Sequence, residues 1–257
     1  MTIAMRIHNN LFRYNLALLA LVGFPSGAIA GNSTAVNFDS TLRLSVWHQN
    51  YQASVFSHGN IIDVDGQFNI QPENDLQLSY TLIHNAKYLP QLEIQYTQSS
   101  AKGQGTVTAT LFEWITLEGD VVGELDLSHA DITAFYSTSI NTINLQAGLK
   151  IRRFFAGVTL GNVAGLSASI DINSVIPMLD IGIHKSLGNY THWETSVAYI
   201  QFAGDEALDT TTQLNININN HWSSHIGYRY FDIDYNINSV RMFATSQGAF
   251  LGGSYRW

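Results

Sequence analysis

Three short patterns carry residue types that do chemistry. His184-Lys185-Ser186 sets a histidine and a serine at alternate positions, which on an extended strand puts both side chains on one face. That pairing of base and hydroxyl is the starting point of nucleophilic ester hydrolysis. Asp126, His129, Asp131, Asp232 and Asp234 are the groups of an acid–base centre, and Asp232 and Asp234 share a strand face. Asp63-Val64-Asp65-Gly66 opens like a calcium loop, but the further oxygen ligands such a loop needs are missing at their spacing. An acid-rich turn is the plainer reading of that stretch, and a solvated rim is the plainer reading of the five acid–base groups.

Strands must position these residues. At the end of the chain Leu251, Tyr255 and Trp257 alternate with Ser254 and Arg256, a period of two with one apolar face. The same period marks Thr41–Tyr51, Asp75–His84, Gln91–Ser99, Ser128–Thr138 and Thr142–Arg152. It recurs at Met178–Ser186, His192–Phe202, Thr211–Asn219, Trp222–Asp232 and Gly248–Trp257. In the fifth of these, Ile143, Leu145, Leu149 and Ile151 stand against Asn144, Gln146, Lys150 and Arg152. The lengths suit the roughly 9–11 residues of a tilted membrane strand. The reading is all-β: a transmembrane antiparallel up-and-down barrel of about ten strands, eight if Met178–Ser186 or Thr211–Asn219 is misassigned.

The other end of the chain agrees. Arg6 and Arg13 flank the start of a short apolar run, Leu16–Val22, and Ala28-Ile29-Ala30 is a small-x-small cleavage site. Residues 1–30 therefore read as a secretory signal peptide and 31–257 as one barrel domain. No later stretch approaches the roughly 20 apolar residues of a membrane helix. Charged residues make up 12% of the chain, about half the usual share. There is no cysteine, hence no disulfide framework, and a net charge of −8 argues against nucleic acid as a partner. No cofactor motif is present.

The connections alternate in length. Short ones are expected at Asn85–Pro90, Ser139–Asn141, Leu187–Thr191 and Asn220–His221. Longer ones are expected at Gln52–Asn74, Ser100–Leu127, Arg153–Pro177, Ala203–Thr210 and Ile233–Gln247. Short periplasmic turns and long outer loops are the habit of outer-membrane barrels. Trp193, Trp222 and Trp257 then fall at the periplasmic rim as an aromatic girdle. The outer loops are acidic, with Asp63, Asp65, Glu73, Asp75, Glu113, Glu118, Asp120, Glu124, Asp205, Glu206 and Asp209 placed there.

The stretch GELDLSHADITAFYSTSINTINLQAGLKIRRF at Gly123–Phe154, with IPMLDIGIHKS, HIGYRYFDIDY and the closing GGSYRW, resembles a family of uncharacterised outer-membrane β-barrel proteins of Gram-negative bacteria. The most distinctive element is Asp126–Asp131. The resemblance covers most of the chain after residue 30 and implies fold and location. It implies no activity and no functional residues.

If Ile132 and Ile143 face lipid, the opposite parity turns Arg43, Glu93, His129, Asp131, Lys150, Arg152, Glu194, Arg229 and Arg256 into the lumen. Folding the hairpin at Ser139–Asn141 brings His129 and Asp131 alongside Lys150. Opposite charges in a narrow lumen pair, because an unpaired charge there is expensive. His184 and Ser186 fall beside a periplasmic turn, away from the outer leaflet where outer-membrane lipid hydrolases act. The leading expectation is a non-enzymatic structural or interaction barrel with a charge-paired lumen. A narrow porin-like channel for small solutes is the alternative, and an outer-membrane hydrolase is third. Expected partners are outer-membrane lipid, lipopolysaccharide and the barrel-assembly machinery, with oligomeric state open.

The terminal aromatic yields a test. Trp257→Ser is expected to lower the amount of protein inserted in cells while leaving refolding in detergent intact. Quantitative blotting of outer membranes measures this, and unchanged levels would remove the assembly role from Trp257.

Overall fold

A strand with one apolar and one polar face is stable in lipid only when its edges are closed, because hydrocarbon offers no partner to a free N–H or C=O. The computed structural model meets that demand. It describes residues 37–257 apart from 58, 87, 113, 114, 163, 164, 238 and 239. The expected signal peptide at residues 1–30 and Glu113 lie outside the described residues.

In chain order the elements are β1 (Phe38–Ser57), β2 (Asn60–Asp63), α1 (Val64–Phe68), β3 (Glu73–His84), β4 (Gln91–Thr97), β5 (Ser100–Phe112), β6 (Ile115–Asp126) and β7 (His129–Ile140). There follow β8 (Ile143–Phe154), β9 (Ala156–Asn162), β10 (Ser167–Ile172), β11 (Val175–Ser186), β12 (Thr191–Phe202), β13 (Asp205–Asn217), β14 (Trp222–Ile237) and β15 (Val240–Arg256). Ten close a barrel in the order β1-β3-β4-β7-β8-β11-β12-β13-β14-β15, and β15 returns to β1 with Thr41 opposite Arg256. All ten expected strands are present, so the eight-strand alternative falls. Leu44, Ile132, Leu179, Ile226 and Leu251 point outward, with Leu179 68% exposed. An apolar belt this open is stable only under lipid.

The outer connections differ from the long loops expected of them. Ser100–Leu127 and Arg153–Pro177 are hairpins whose strands form a second sheet in the order β10-β9-β6-β5. Its outward face carries Lys102, Thr106, Glu118, Asp120, Ser169 and Asp171, all exposed, so this sheet stands clear of the lipid. Its inward face carries Leu117, Val121, Leu125, Val158, Leu160 and Ile172. These share one core with Val55, Ile233, Met242 and Ala244 of the barrel strands. The alternation that makes β6 a strand is visible in its own residues, ITLEGDVVGELD. The Ala203–Thr210 loop shrinks to a tight turn at Ala203 and Gly204, both at positive φ (55° and 94°), the conformation that matches hairpin twist.

The single helix among the described residues, α1, plugs this outer head. Asp63 caps it by accepting the Gly66 N–H at 3.0 Å, and Asp65 accepts the Ala53 N–H at 2.7 Å. The apparent calcium pattern is thus a helix cap and a tether. Phe68 is fully buried. The helix end lies directly on β5 because Gly103 and Gly105 carry no side chain there. A Cβ at Gly105 would sit 1.8 Å from the Gln67 carbonyl oxygen.

That approach is testable. Gly105→Val is expected to unseat α1 without opening the membrane barrel. Limited proteolysis in detergent should then cut near Asn69 in the variant alone, with heat-modifiable migration kept. Equal resistance of both proteins would show that the glycine does not seat the helix.

Candidate functional site: the divided lumen

The inward parity of β7, β8, β13 and β14 brings their polar side chains to one level of the lumen. Arg152 on β8 clasps Asp131 on β7 through Nε and Nη2, at 2.8 and 2.7 Å. It also bonds Asp209 on β13, three strands along the wall from β8. Arg229 on β14 clasps the same Asp209 at 2.9 and 2.6 Å. Its Nη1 donates to Thr97, and Nη2, which also holds Asp209, donates to Nε2 of His129, each at 3.0 Å. His129 Nδ1 in turn donates to the Leu127 carbonyl at 2.8 Å, so the ring is the neutral tautomer that accepts at Nε2. Aromatic rings wall the two guanidiniums: Phe231 lies 5.0 Å from Arg152 and Trp47 4.9 Å from Arg229. Arg152 is fully buried. Each charge is neutralised inside the belt, which is the condition for keeping it there.

His129, Asp131 and Asp209 lie close enough to share a cation. The two guanidiniums already supply the positive charge that gathers them.

Two sequence expectations need correction here. Asp131 does not meet Lys150: the register sets Asp131 opposite Arg152 and Thr133 opposite Lys150. Lys150 reaches Asp180 on β11 at 3.3 Å. Asp209 and Asp75 are not loop acids. Asp209 is in the belt. Asp75, 3% exposed, accepts from Gln49 and Tyr51, each at 2.8 Å. With Ser99 and Ser246, which bond the other end of Gln49, it forms a polar collar just outside the belt. Asp180, Asp209, Thr97 and this collar escaped sequence reasoning. β13 begins at Asp205, not Thr211, and counting back from Thr211 in steps of two would have turned Asp209 inward.

The remaining lumen residues lie toward the short-turn end. Arg43 meets Glu194 at 3.4 Å, and His184 meets Glu194 at 3.3 Å. Gln213 also donates to Glu194. Glu93 accepts the Thr81 hydroxyl at 3.1 Å. Arg256 lies at the mouth and forms no ion pair among the described residues. Trp222 packs edge-on against Tyr255 at 4.9 Å, and Tyr255 stacks on Trp257 at 5.8 Å, on the outer wall of the same rim. Trp193 donates to Thr212 at 3.0 Å on the neighbouring strands. This end of the lumen is a cavity of about 710 Å³.

The candidate catalytic groups do not converge. His184 is turned to Glu194 and to Gln146 at 3.2 Å. Ser186 meets a different histidine, His192, at 3.3 Å from Nδ1. The Asn217 amide nitrogen lies 2.9 Å from Nε2 of that ring. A donor at Nε2 leaves Nδ1 as the protonated nitrogen, so no lone pair faces the hydroxyl. Asp126 caps Ser128 N–H at 2.9 Å. Asp232 accepts Thr245 at 2.5 Å. Asp234 holds Arg241 at the outer hairpin, and that hydrogen bond holds the guanidinium above its ordinary pKa.

No family model matches the chain, and no curated protein matches it. Solved structures with a similar course of chain are outer-membrane barrels. The outer-membrane protease OmpT of Escherichia coli aligns at 8% identity over 88% of this chain and 99% of its own, with a TM-score of 0.49. The translocator domain of the autotransporter NalP of Neisseria meningitidis aligns at 11% identity over 88% and 90%, with a TM-score of 0.44. Ail, the attachment invasion locus protein of Yersinia pestis, aligns at 13% identity over 86% and 99%, with a TM-score of 0.37. These are likenesses of fold. The closed barrel with its lipid belt is itself the mark of an outer-membrane protein, and the chain is one.

The belt predicts a specific coupling. Asp131→Ala and Arg152→Ala are each expected to destabilise the barrel by about 3–5 kcal/mol, since each leaves a buried charge without its partner. A double-mutant cycle by urea unfolding in detergent should recover about 1–3 kcal/mol in the pair. The Asp131 and Lys150 pair should couple less. Equal coupling in both cycles, or none, would contradict the register.

Proposed function

We propose that this protein is a non-enzymatic, non-conducting outer-membrane barrel with a structural or interaction role, holding a rigid β-sheet head outside the membrane. The observation that carries the reading is the filling of the lumen's outer half. Trp47, Val55, Phe68, Leu125, Phe154 and Phe231 are all buried in one core between the barrel wall and the head. Beneath them the ion-paired belt crosses the lumen. A solute entering from outside meets apolar packing first and paired charges second, and packed interiors leave few voids as large as a water molecule. The polar outer face of β5, β6, β9 and β10 is the surface left for contact, with lipid and lipopolysaccharide around the wall. The barrel-assembly machinery is the expected partner during insertion.

Planar-bilayer recording on the purified barrel tests this. The expected result is a silent bilayer at moderate voltage. Steady single-channel steps would overturn the reading and favour a narrow solute channel.

A further inference from the structure

We propose that the cavity at the periplasmic end of the lumen binds a neutral saccharide of one or two rings. The inference rests on the sealed outer half, which makes this cavity a blind vestibule open to the periplasm rather than part of a pore. Its volume of about 710 Å³ lies within the roughly 300–1,000 Å³ of small-molecule sites.

Its lining sets the ligand's chemistry. Asn215, Asn217, Asn219 and Asn220 follow one another along the end of β13 and its turn, and all line the cavity. An amide both donates and accepts, as does a sugar hydroxyl, so a ladder of amides matches a polyol better than it matches an ion. Asn215 is 5% exposed, and its side chain lies against Glu194. Its oxygen is taken by Gln213 at 3.1 Å. The nearby Glu194 is already occupied by Arg43, His184 and Gln213. The formal charges on the lining cancel: Arg43 and Arg256 against Glu93 and Glu194. That balance favours a neutral ligand over an anion.

Saturation-transfer difference NMR on the refolded barrel tests the proposal. Micelles of an amine-oxide detergent are used, because maltoside headgroups would compete. The probes are maltose, N,N′-diacetylchitobiose and sodium glucuronate. The expected result is saturable transfer to at least one neutral disaccharide. Binding should weaken by about tenfold or more in Asn215→Ala/Asn217→Ala, the equivalent of about 1.4 kcal/mol. Heat-modifiable migration should be unchanged, and Arg256→Gln should leave the affinity for the neutral sugar in place. Absence of transfer to both neutral sugars would overturn the proposal. So would equal binding by the asparagine variant, or tighter binding of glucuronate than of either disaccharide. Current steps in the bilayer would fail the sealed-barrel reading separately, since binding is read here without a membrane.

Discussion

Asp209 sits between two guanidiniums, and the rest of the lumen is arranged around that fact. Arg152 and Arg229 come from strands on different sides of the barrel and share one carboxylate. Either cation alone would be costly in a site walled by Phe154, Phe231 and Trp47. Together with Asp131 and the neutral ring of His129 they form a neutralised, hydrogen-bonded unit. The unit also ties β7, β8, β13 and β14 together across the lumen, beyond the backbone ladder that closes the wall.

This belt separates two environments. Outside it the barrel strands run on past the membrane, and inward-facing apolar residues fill the space that an aqueous pore would need. The collar of Gln49, Tyr51, Asp75, Ser99 and Ser246 makes the transition, each group satisfied by another. Inside the belt the lining changes to asparagine, histidine and paired charge, and the lumen opens. One chain thus presents lipid with aliphatic side chains, the outside with a polar sheet, and the periplasm with a hydrophilic cavity. The period of two lets adjacent residues of one strand serve opposite surfaces.

The barrel was legible because its signals are local. Alternation over each strand and the length asymmetry of the connections are properties of short windows, and they located all ten barrel strands. The head was harder to see. Its strands carry glycine at Gly103, Gly105 and Gly123, which breaks the apolar period where α1 and Phe68 pack closely. The belt was half legible. Parity turned Asp131, Lys150, Arg152 and Arg229 inward. Which acid meets which base depends on strand register and on contacts across the lumen, as with Asp209 and Arg152, and no window of sequence contains both. Alternation with Leu214, Ile216 and Ile218 sets Asn215, Asn217 and Asn219 on the inner face, but the cavity they line depends on the far wall of the barrel.

The central claim is that the lumen is sealed above the belt and open below it. The absence of native cysteine allows it to be measured with single thiols. Ser223 lines the periplasmic cavity, and Ser246 is fully buried in the collar. Each is replaced by cysteine, and labelling of the folded barrel in micelles by a small charged methanethiosulfonate is followed in time. Both barrel ends meet water in a micelle, so the rates report the lumen alone. The account predicts rapid labelling of Ser223→Cys, and labelling of Ser246→Cys only when the barrel is unfolded. Comparable rates at the two positions would mean an open lumen and would contradict it.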